Sequence, residues 1–365
     1  MPTICPQIAP VHDLPVILPQ LLQDLSIGRA QIVVDQIRGL LDDGHPDSIL
    51  IVTAIDQDAA SAPSGGKPLA AAIAIHPPQK GESPRSSNDS ATLLHAGWIT
   101  EVAEDERLRI IQTIQTHLDE TLSRRGVHFV QWACDAFSLT DSAEAWFSGL
   151  GFRWVADLEY MTRSLEPSTE GTSASDRAKS ATPHASPEPR VRLSPLDWNN
   201  ESALPAFTKL IDQTYVDTLD CPSLLDYRSA EQTIAGYQAN ASFAPECWFT
   251  VSKTTPVEDG DNPVGVAILA RHNGGRKKAN QSSEIETNFE RSNEVVELVY
   301  MGLIPTARGQ RLGIDLIRSV IATAKGFCAS RLILAVDQQN DVASDLYRAF
   351  GLQSMLEESV WVKSL

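Results

Sequence analysis

Apolar positions along this chain fall into two alternating rhythms. Short runs repeat with a period near two, the side-chain alternation of a strand, and longer runs repeat near 3.6, the period of a helix that buries one face. In the second half the pattern predicts a helix over about Glu201–Thr218 and strands over Cys247–Ser252 and Val264–Ala270. A strong strand over Val295–Leu303 follows, then a helix from about Gly309 to Phe327, a strand over Arg331–Val336, a helix over Val342–Phe350 and a last strand over Glu358–Lys363. The first half predicts strands over Ile49–Ile55, Leu69–Ile75 and Ala91–Ile99, a helix over about Asp105–Arg124, a strand over His128–Ala133 and a helix over Ser142–Leu150. Strands and helices interleave in both halves, so each half is expected to be an α/β (α+β mixed) domain, a mixed sheet covered by helices.

The two halves are separated by a stretch from about Leu165 to Pro189 that is rich in Ser, Pro, Glu and Ala and almost empty of large apolar residues. Such a stretch cannot bury enough surface to offset its ordering entropy, which predicts a flexible linker. The expected division is therefore 1–164, a linker over 165–190, and 191–365. Two shorter polar stretches, Pro77 to Ser90 and Asn273 to Asn293, predict loops inside the halves. An internal repeat supports duplication: Ala143–Phe152 lies over Ala343–Leu352, with Ala, an aromatic at 147 and 347, and a terminal Gly in register. A chance match between two amphipathic helices that both end in Gly is the alternative.

A length of 365 residues fits about two cores. With 42% hydrophobic and 21% charged residues, the composition excludes disordered, collagen-like and membrane classes. No apolar run reaches the roughly 18 residues of a membrane span, and Met1–Asp13 lacks the basic and apolar regions of an export signal. The five cysteines, Cys5, Cys134, Cys221, Cys247 and Cys328, are widely spaced with no Cys-x-x-Cys pair, which suggests neither a zinc site nor a disulfide framework and fits a reducing cytoplasm. Cys134 and Cys328 stand among apolar residues and are expected to be buried. A net charge of −17 argues against a nucleic-acid partner. It fits either steering of a cationic substrate or plain solubility. His12, His45, His76, His95, His117 and His128 lack ligand spacing, so no metal is expected.

The segment Val295–Ile317 carries the candidate chemistry. A strand feeds a loop at Pro305 and then the turn Arg308-Gly309-Gln310-Arg311-Leu312-Gly313, which opens a helix. The N–H groups of a helix's first turn have no internal partner, and the helix dipole adds positive potential there. Gly309 and Gly313 allow close backbone approach, while Arg308 and Arg311 add charge-assisted donors. Together they form a cradle for a pyrophosphate, although an ordinary helix cap can look the same.

These residues resemble the GNAT superfamily of N-acetyltransferases, whose signature is Arg/Gln-x-x-Gly-x-Gly/Ala. The departure is Arg311, which stands where that family usually has Gly and puts the local backbone conformation in question. Downstream, Ala335–Leu352 is similar to the family's second motif, with Asn340 at the place of a cofactor-contacting Asn and Tyr347 at that of a Tyr that protonates the leaving thiolate. The resemblance covers about Arg192 to Leu365. It implies acetyl-CoA as cosubstrate and direct transfer to a primary amine of a small-molecule or peptide acceptor. The same resemblance has Met301 and Leu303 meet the cofactor on a splayed strand, with a backbone N–H near Leu303 polarising the thioester carbonyl. Glu297, six residues before Leu303, is similar to the base of histone-acetyltransferase members and of the mycothiol synthase group. Its alternative is an outward, solvated Glu, and that of Tyr347 is a core aromatic beside Leu346 and Phe350.

The first half resembles the same fold without its chemistry. At the cradle position Thr100–Arg109 holds four carboxylates and no glycine, which would repel a pyrophosphate. Phe147 stands in for Tyr347 and Thr140 for Asn340. The implied architecture is two tandem acyl-CoA N-acyltransferase domains, the first degenerate, an arrangement similar to mycothiol synthase. An acyl-CoA-binding sensor or scaffold without turnover is the competing function.

Overall fold

The computed structural model describes residues 3–58, 66–76, 89–135, 141–166, 189–239, 243–254, 262–272 and 294–365. Most of the expected linker, most of the Pro77–Ser90 loop, the whole Asn273–Asn293 loop and Thr140 lie outside the described residues. Contacts divide the chain into two compact units. One comprises Met1–Leu158, Cys221–Ala239 and Glu357–Leu365; the other comprises Glu159–Asp220 and Asn240–Leu356. This division departs from a simple cut at 165–190, because two segments that follow the linker in sequence count with the first unit.

In the first unit β1 (Ile4–Ile8), β2 (Ile49–Asp56), β3 (Lys67–Ile75) and β4 (Ser90–Trp98) run antiparallel in that order. β5 (Phe129–Asp135) joins β4 in parallel. The final strand of the chain, β12 (Gln353–Ser364), then pairs antiparallel with β5 over Glu358–Ser364. The near-continuous apolar runs of β2 and β3 have a physical reason: both faces of these strands are covered. Leu50, Val52, Ala54, Ala70, Ala72 and Ala74 face a core built by α3 (Glu104–Arg124) and α4 (Asp141–Gly149). Ile49, Ile51, Ala71 and Ile73 face a second core built by α1 (Leu14–Leu21) and α2 (Ile27–Asp42). Cys221–Ala239 brings Leu224 and Tyr227 onto Phe129, Val155 and Val362, which is why it counts here.

The second unit repeats the plan. β7 (Val191–Pro195), β8 (Trp248–Lys253), β9 (Pro263–His272) and β10 (Val295–Leu303) are antiparallel neighbours. β11 (Arg331–Asp337) is parallel to β10, and β6 (Arg153–Ser164), of which Glu159–Ser164 counts with this unit, lies beyond β11. α7 (Leu312–Gly326) buries Leu312, Leu316, Ile317 and Val320 on Val296, Leu298, Leu332 and Leu334, the i, i+4, i+5, i+8 stripe of an amphipathic helix. α5 (Ala203–Tyr215) and α8 (Asp341–Ala349) complete the helices of this unit, while α6 (Ala230–Ala239) belongs to the first. Each unit is thus a mixed sheet with helices, as the interleaved pattern requires. Cys134 is buried as expected, but Cys328 is exposed. The reason is local: Cys328 sits in the turn after α7 at φ 59, and this left-handed turn directs it outward.

Candidate active site

The site begins where two parallel strands part. β10 and β11 pair from Val295↔Arg331 to Leu298↔Leu334 and no further, although both strands continue. At the same point the β9–β10 register skips Val299, a bulge that bends β10 away from its partner. The edge of Val299–Leu303 that faces away from β9 is therefore left without a strand. The first unit repeats this feature: β4 pairs with β5 only over Ser90–Thr92, and the β3–β4 register skips Leu94.

Close packing fixes the parted end. A Cβ on Gly302 would lie 2.8 Å from Thr214 Cβ and from the Tyr300 hydroxyl, so only glycine lets α5 approach here. Thr214 Oγ1 and the Tyr300 hydroxyl are hydrogen-bonded at 2.8 Å. Burial raises the Tyr300 pKa and keeps that phenol neutral.

Past Leu303 the chain makes a tight turn over Pro305–Ala307 and enters α7 through two left-handed residues, Gly309 (φ 73) and Arg311 (φ 61). Nothing would touch a Cβ at Gly309, so glycine is needed there for its conformation alone. Arg311 adopts this left-handed conformation at a cost of about 1 kcal/mol for a residue with a Cβ. The N–H groups of Gly309, Gln310, Arg311, Leu312 and Gly313 make no hydrogen bond among the described residues. Five consecutive unpaired donors at a helix start form an anion site.

The side chains of this turn are partly committed. Arg308 donates Nε to Leu303 O at 2.9 Å, Nη1 to Val216 O at 2.8 Å and Asp217 O at 3.0 Å, and Nη2 to Thr214 O at 2.8 Å. Its guanidinium ties the end of β10 to the end of α5, a positioning role that sequence reasoning did not foresee. Gln310 donates to Thr306 O at 2.7 Å and accepts from Lys253 Nζ at 2.9 Å. The buried Asp315 is neutralised by Arg190 and Arg318, each at 2.8 Å, and Arg190 also donates to Arg311 O. Lys253, Arg190, Arg311 and Arg318 give this helix start a basic surround.

Asn340 caps α8, its side chain accepting from Ala343 N at 3.2 Å. On the same helix Tyr347 is 7% exposed, and its hydroxyl has no hydrogen-bond partner among the described residues. Burial raises its pKa, with the Asp220 carboxylate adding to the effect. Asp220, which sequence reasoning missed, is itself pushed up to about 6, first by burial and then by the charge of Asp337. It lies between two left-handed positions of the loop, Asp217 (φ 52) and Cys221 (φ 45), and no short motif announces such a loop.

Glu297 lies two residues before the bulge, in the closed part of the strand pair. Its Oε2 is 2.7 Å from His272 Nε2, and this hydrogen bond is the leading reason the His272 pKa rises. The structure thus groups Tyr347 with Asp220 and Glu297 with His272; among the described residues no hydrogen bond or ion pair joins the two groups. His272 escaped notice because its partnership depends on the β9–β10 register, which the loop between the strands hides.

In the first unit the helix that follows the parted strand, α3, carries Glu104, Asp105 and Glu106 in its first turn. Phe147 is 2% exposed and stacked on Trp361, ring centroids 4.3 Å apart at 9°.

Residues 212–352 match the family model described as acetyltransferase (GNAT) family. The chain is similar in structure to a GCN5-related N-acetyltransferase from Sphaerobacter thermophilus, at 15% identity over 99% of this chain and 95% of that one, TM-score 0.51. It is also similar to the GCN5-related glucosamine N-acetyltransferase region of a fungal multi-domain GH3 β-N-acetylglucosaminidase, at 12% identity over 100% of this chain and 38% of that one, TM-score 0.51. At these identities the likeness speaks for the fold. No curated protein matches the sequence.

Proposed function

We propose that this chain, whose residues 212–352 carry a GNAT-family acetyltransferase domain, transfers the acetyl group of acetyl-CoA directly to a primary amine. The observation that carries the reading is the run of five unpaired N–H groups at Gly309–Gly313, in a basic surround beside the parted end of β10. The residues present fit a pyrophosphate: Gly309 leaves open space, and a Cβ at Gly313 would meet only Leu346 at an ordinary 3.5 Å. Arg311, Gln310 and Leu312 offer backbone donors, Arg308 holds the loop in place, and Asn340 sets the start of α8.

Acetyl-CoA supplies the thioester carbonyl and a thiolate leaving group. Backbone N–H groups of Met301 or Leu303, on the edge that has lost β11, are available to stabilise the carbonyl oxygen as it gains charge. The amine nitrogen bonds to the carbonyl carbon, the carbon–sulfur bond breaks, and the sulfur takes a proton. Tyr347 is the donor: its free hydroxyl stays protonated at neutral pH because burial and Asp220 both disfavour the phenolate. Glu297 accepts the amine's proton through solvent, with His272 fixing the carboxylate. The acceptor is a small molecule or peptide bearing a primary amine. The tandem arrangement and the place of Glu297 in its strand support a narrower likeness to mycothiol synthase. That the five cysteines form no disulfide among the described residues supports a reducing, cytoplasmic setting.

The test is steady-state release of CoA thiol from acetyl-CoA with a panel of diamines, amino sugars and peptide N-termini. Release above the hydrolytic background with at least one amine is expected. Tight acetyl-CoA binding with no acceptor-dependent release would instead make the chain a sensor.

A further inference from the structure

The first unit contains a cavity of about 460 Å³ walled by His95, Trp98, Trp132, Trp146 and Phe147, with Asp24 as its one acidic lining residue among the described residues. It lies at the end of β4 that has parted from β5, the place corresponding to the acetyl-transfer cleft of the other unit. We propose that this cavity is a second binding site, for an uncharged, largely apolar ligand that carries a hydrogen-bond acceptor such as an amide or ketone.

Three observations select that chemistry. The volume is that of a pocket for a small organic molecule, and five aromatic side chains supply stacking surface. Trp146 is 3% exposed, and its indole N–H has no hydrogen-bond partner among the described residues; the indole N–H of Trp98 is likewise buried and without one among them. A buried donor left without an acceptor is costly, so a ligand whose carbonyl comes within reach of either N–H gains what the protein alone forfeits. An anion is opposed by Asp24, which lines the cavity; the first turn of α3, whose Arg107 guanidinium lies 5.8 Å over the Trp98 ring, bears Glu104, Asp105 and Glu106. His95 offers no compensating cation, since burial and the charge of Arg29 push its pKa down to about 4. The pyrophosphate of CoA therefore has no place here, and an uncharged occupant does.

Calorimetry on the full chain with three matched probes tests the site: 1-naphthylacetamide, 1-naphthylacetate and 1-(aminomethyl)naphthalene. The neutral amide is expected to bind one saturable site at least about tenfold more tightly than the carboxylate, and saturating acetyl-CoA is expected not to displace it. Trp146→Phe keeps an aromatic ring and removes the N–H, so amide affinity should fall about two- to tenfold. Ala143→Trp fills the cavity and should abolish binding; both variants should keep the parent melting temperature and acetyl-CoA affinity. Should either variant unfold, Ala143→Leu, which fills less space, takes its place and should weaken amide binding. Equal or tighter binding of the carboxylate, displacement by acetyl-CoA, indifference to filling at Ala143, or no heat up to about 1 mM amide would each overturn the proposal.

Discussion

Tyr347 and Asp220 show how one side chain sets the working state of another. The phenol is buried, and the nearby carboxylate pushes its pKa further up, so at neutral pH it stays protonated, the state that the proposed role of proton donor needs. Tyr347→Phe should keep the fold, because the ring packs in the cluster that holds Leu346 and Phe350 and the hydroxyl has no hydrogen-bond partner among the described residues. Turnover should fall roughly 10²- to 10⁴-fold with little change in acetyl-CoA affinity, which single-turnover kinetics and calorimetry can separate. Near-normal turnover would return Tyr347 to the role of core aromatic. Asp220 makes a separate prediction on stability. Its folded-state pKa, about 6, lies above the unfolded value, so its contribution is present below the usual carboxylate range and is lost as pH rises through about 6. Asp220→Asn should therefore raise the melting temperature at pH 8 and leave it unchanged near pH 4. Equal shifts at both pH values would detach Asp220 from this titration. The place of Tyr347 on α8 could be read locally, from its spacing to Gly351. Asp220 and His272 could not, because each meets its partner only after a loop or a strand register is set.

Among elements, the strand and helix that carry the site were the most legible. Val295–Leu303 was bounded correctly because β10 alternates strictly in burial up to the bulge, and α7 and α8 each show one apolar stripe. The bulge at Val299 left no trace in the pattern, since Leu298, Val299 and Tyr300 are all apolar or aromatic and suit either face. The first 45 residues were not read at all. α1 contains Pro15 and Pro19, and α2 has only Arg29, Val33 and Ile37 buried, too sparse a stripe to stand out. Two substitutions separate the parts of the α7 entrance. Arg308→Ala removes four hydrogen bonds from a charged donor to carbonyls and should destabilise the second unit by about 2–4 kcal/mol, read by chemical denaturation. Gly313→Glu adds a side chain where a Cβ meets only an ordinary contact, so the fold should persist. It also sets a carboxylate against the unpaired N–H groups, and acetyl-CoA affinity should drop at least about tenfold. Unchanged affinity in Gly313→Glu would place the cofactor elsewhere.

At the scale of the whole molecule, sequence and contacts divide the chain differently, and the difference has a measurable consequence. The Ser- and Pro-rich composition of 165–190 predicts that limited proteolysis cuts there first. A chain of two independent beads would then release two folded halves. The first unit, however, takes Cys221–Ala239 and Glu357–Leu365 from beyond that cut. Glu358–Ser364 forms the strand next to β5, Trp361 covers Phe147, the buried Arg29 pairs with Glu358, and Lys363 pairs with Asp119. Lys363 is held charged by that partner against burial, which lowers its pKa, so losing one member leaves the other badly placed. A fragment of 1–164 made alone would expose the edge of β5 and an uncovered Phe147, and would lack the acceptor for Arg29. It is therefore expected to aggregate or to show no cooperative unfolding transition. The chain nicked within the linker, by contrast, should elute at the size of the uncut protein in native size-exclusion chromatography and fall into two pieces only in denaturant. Restoring 191–365 to the isolated fragment during refolding should rescue it. A monomeric fragment of 1–164 with a sharp transition of its own would show that the last strand adds nothing the first unit needs.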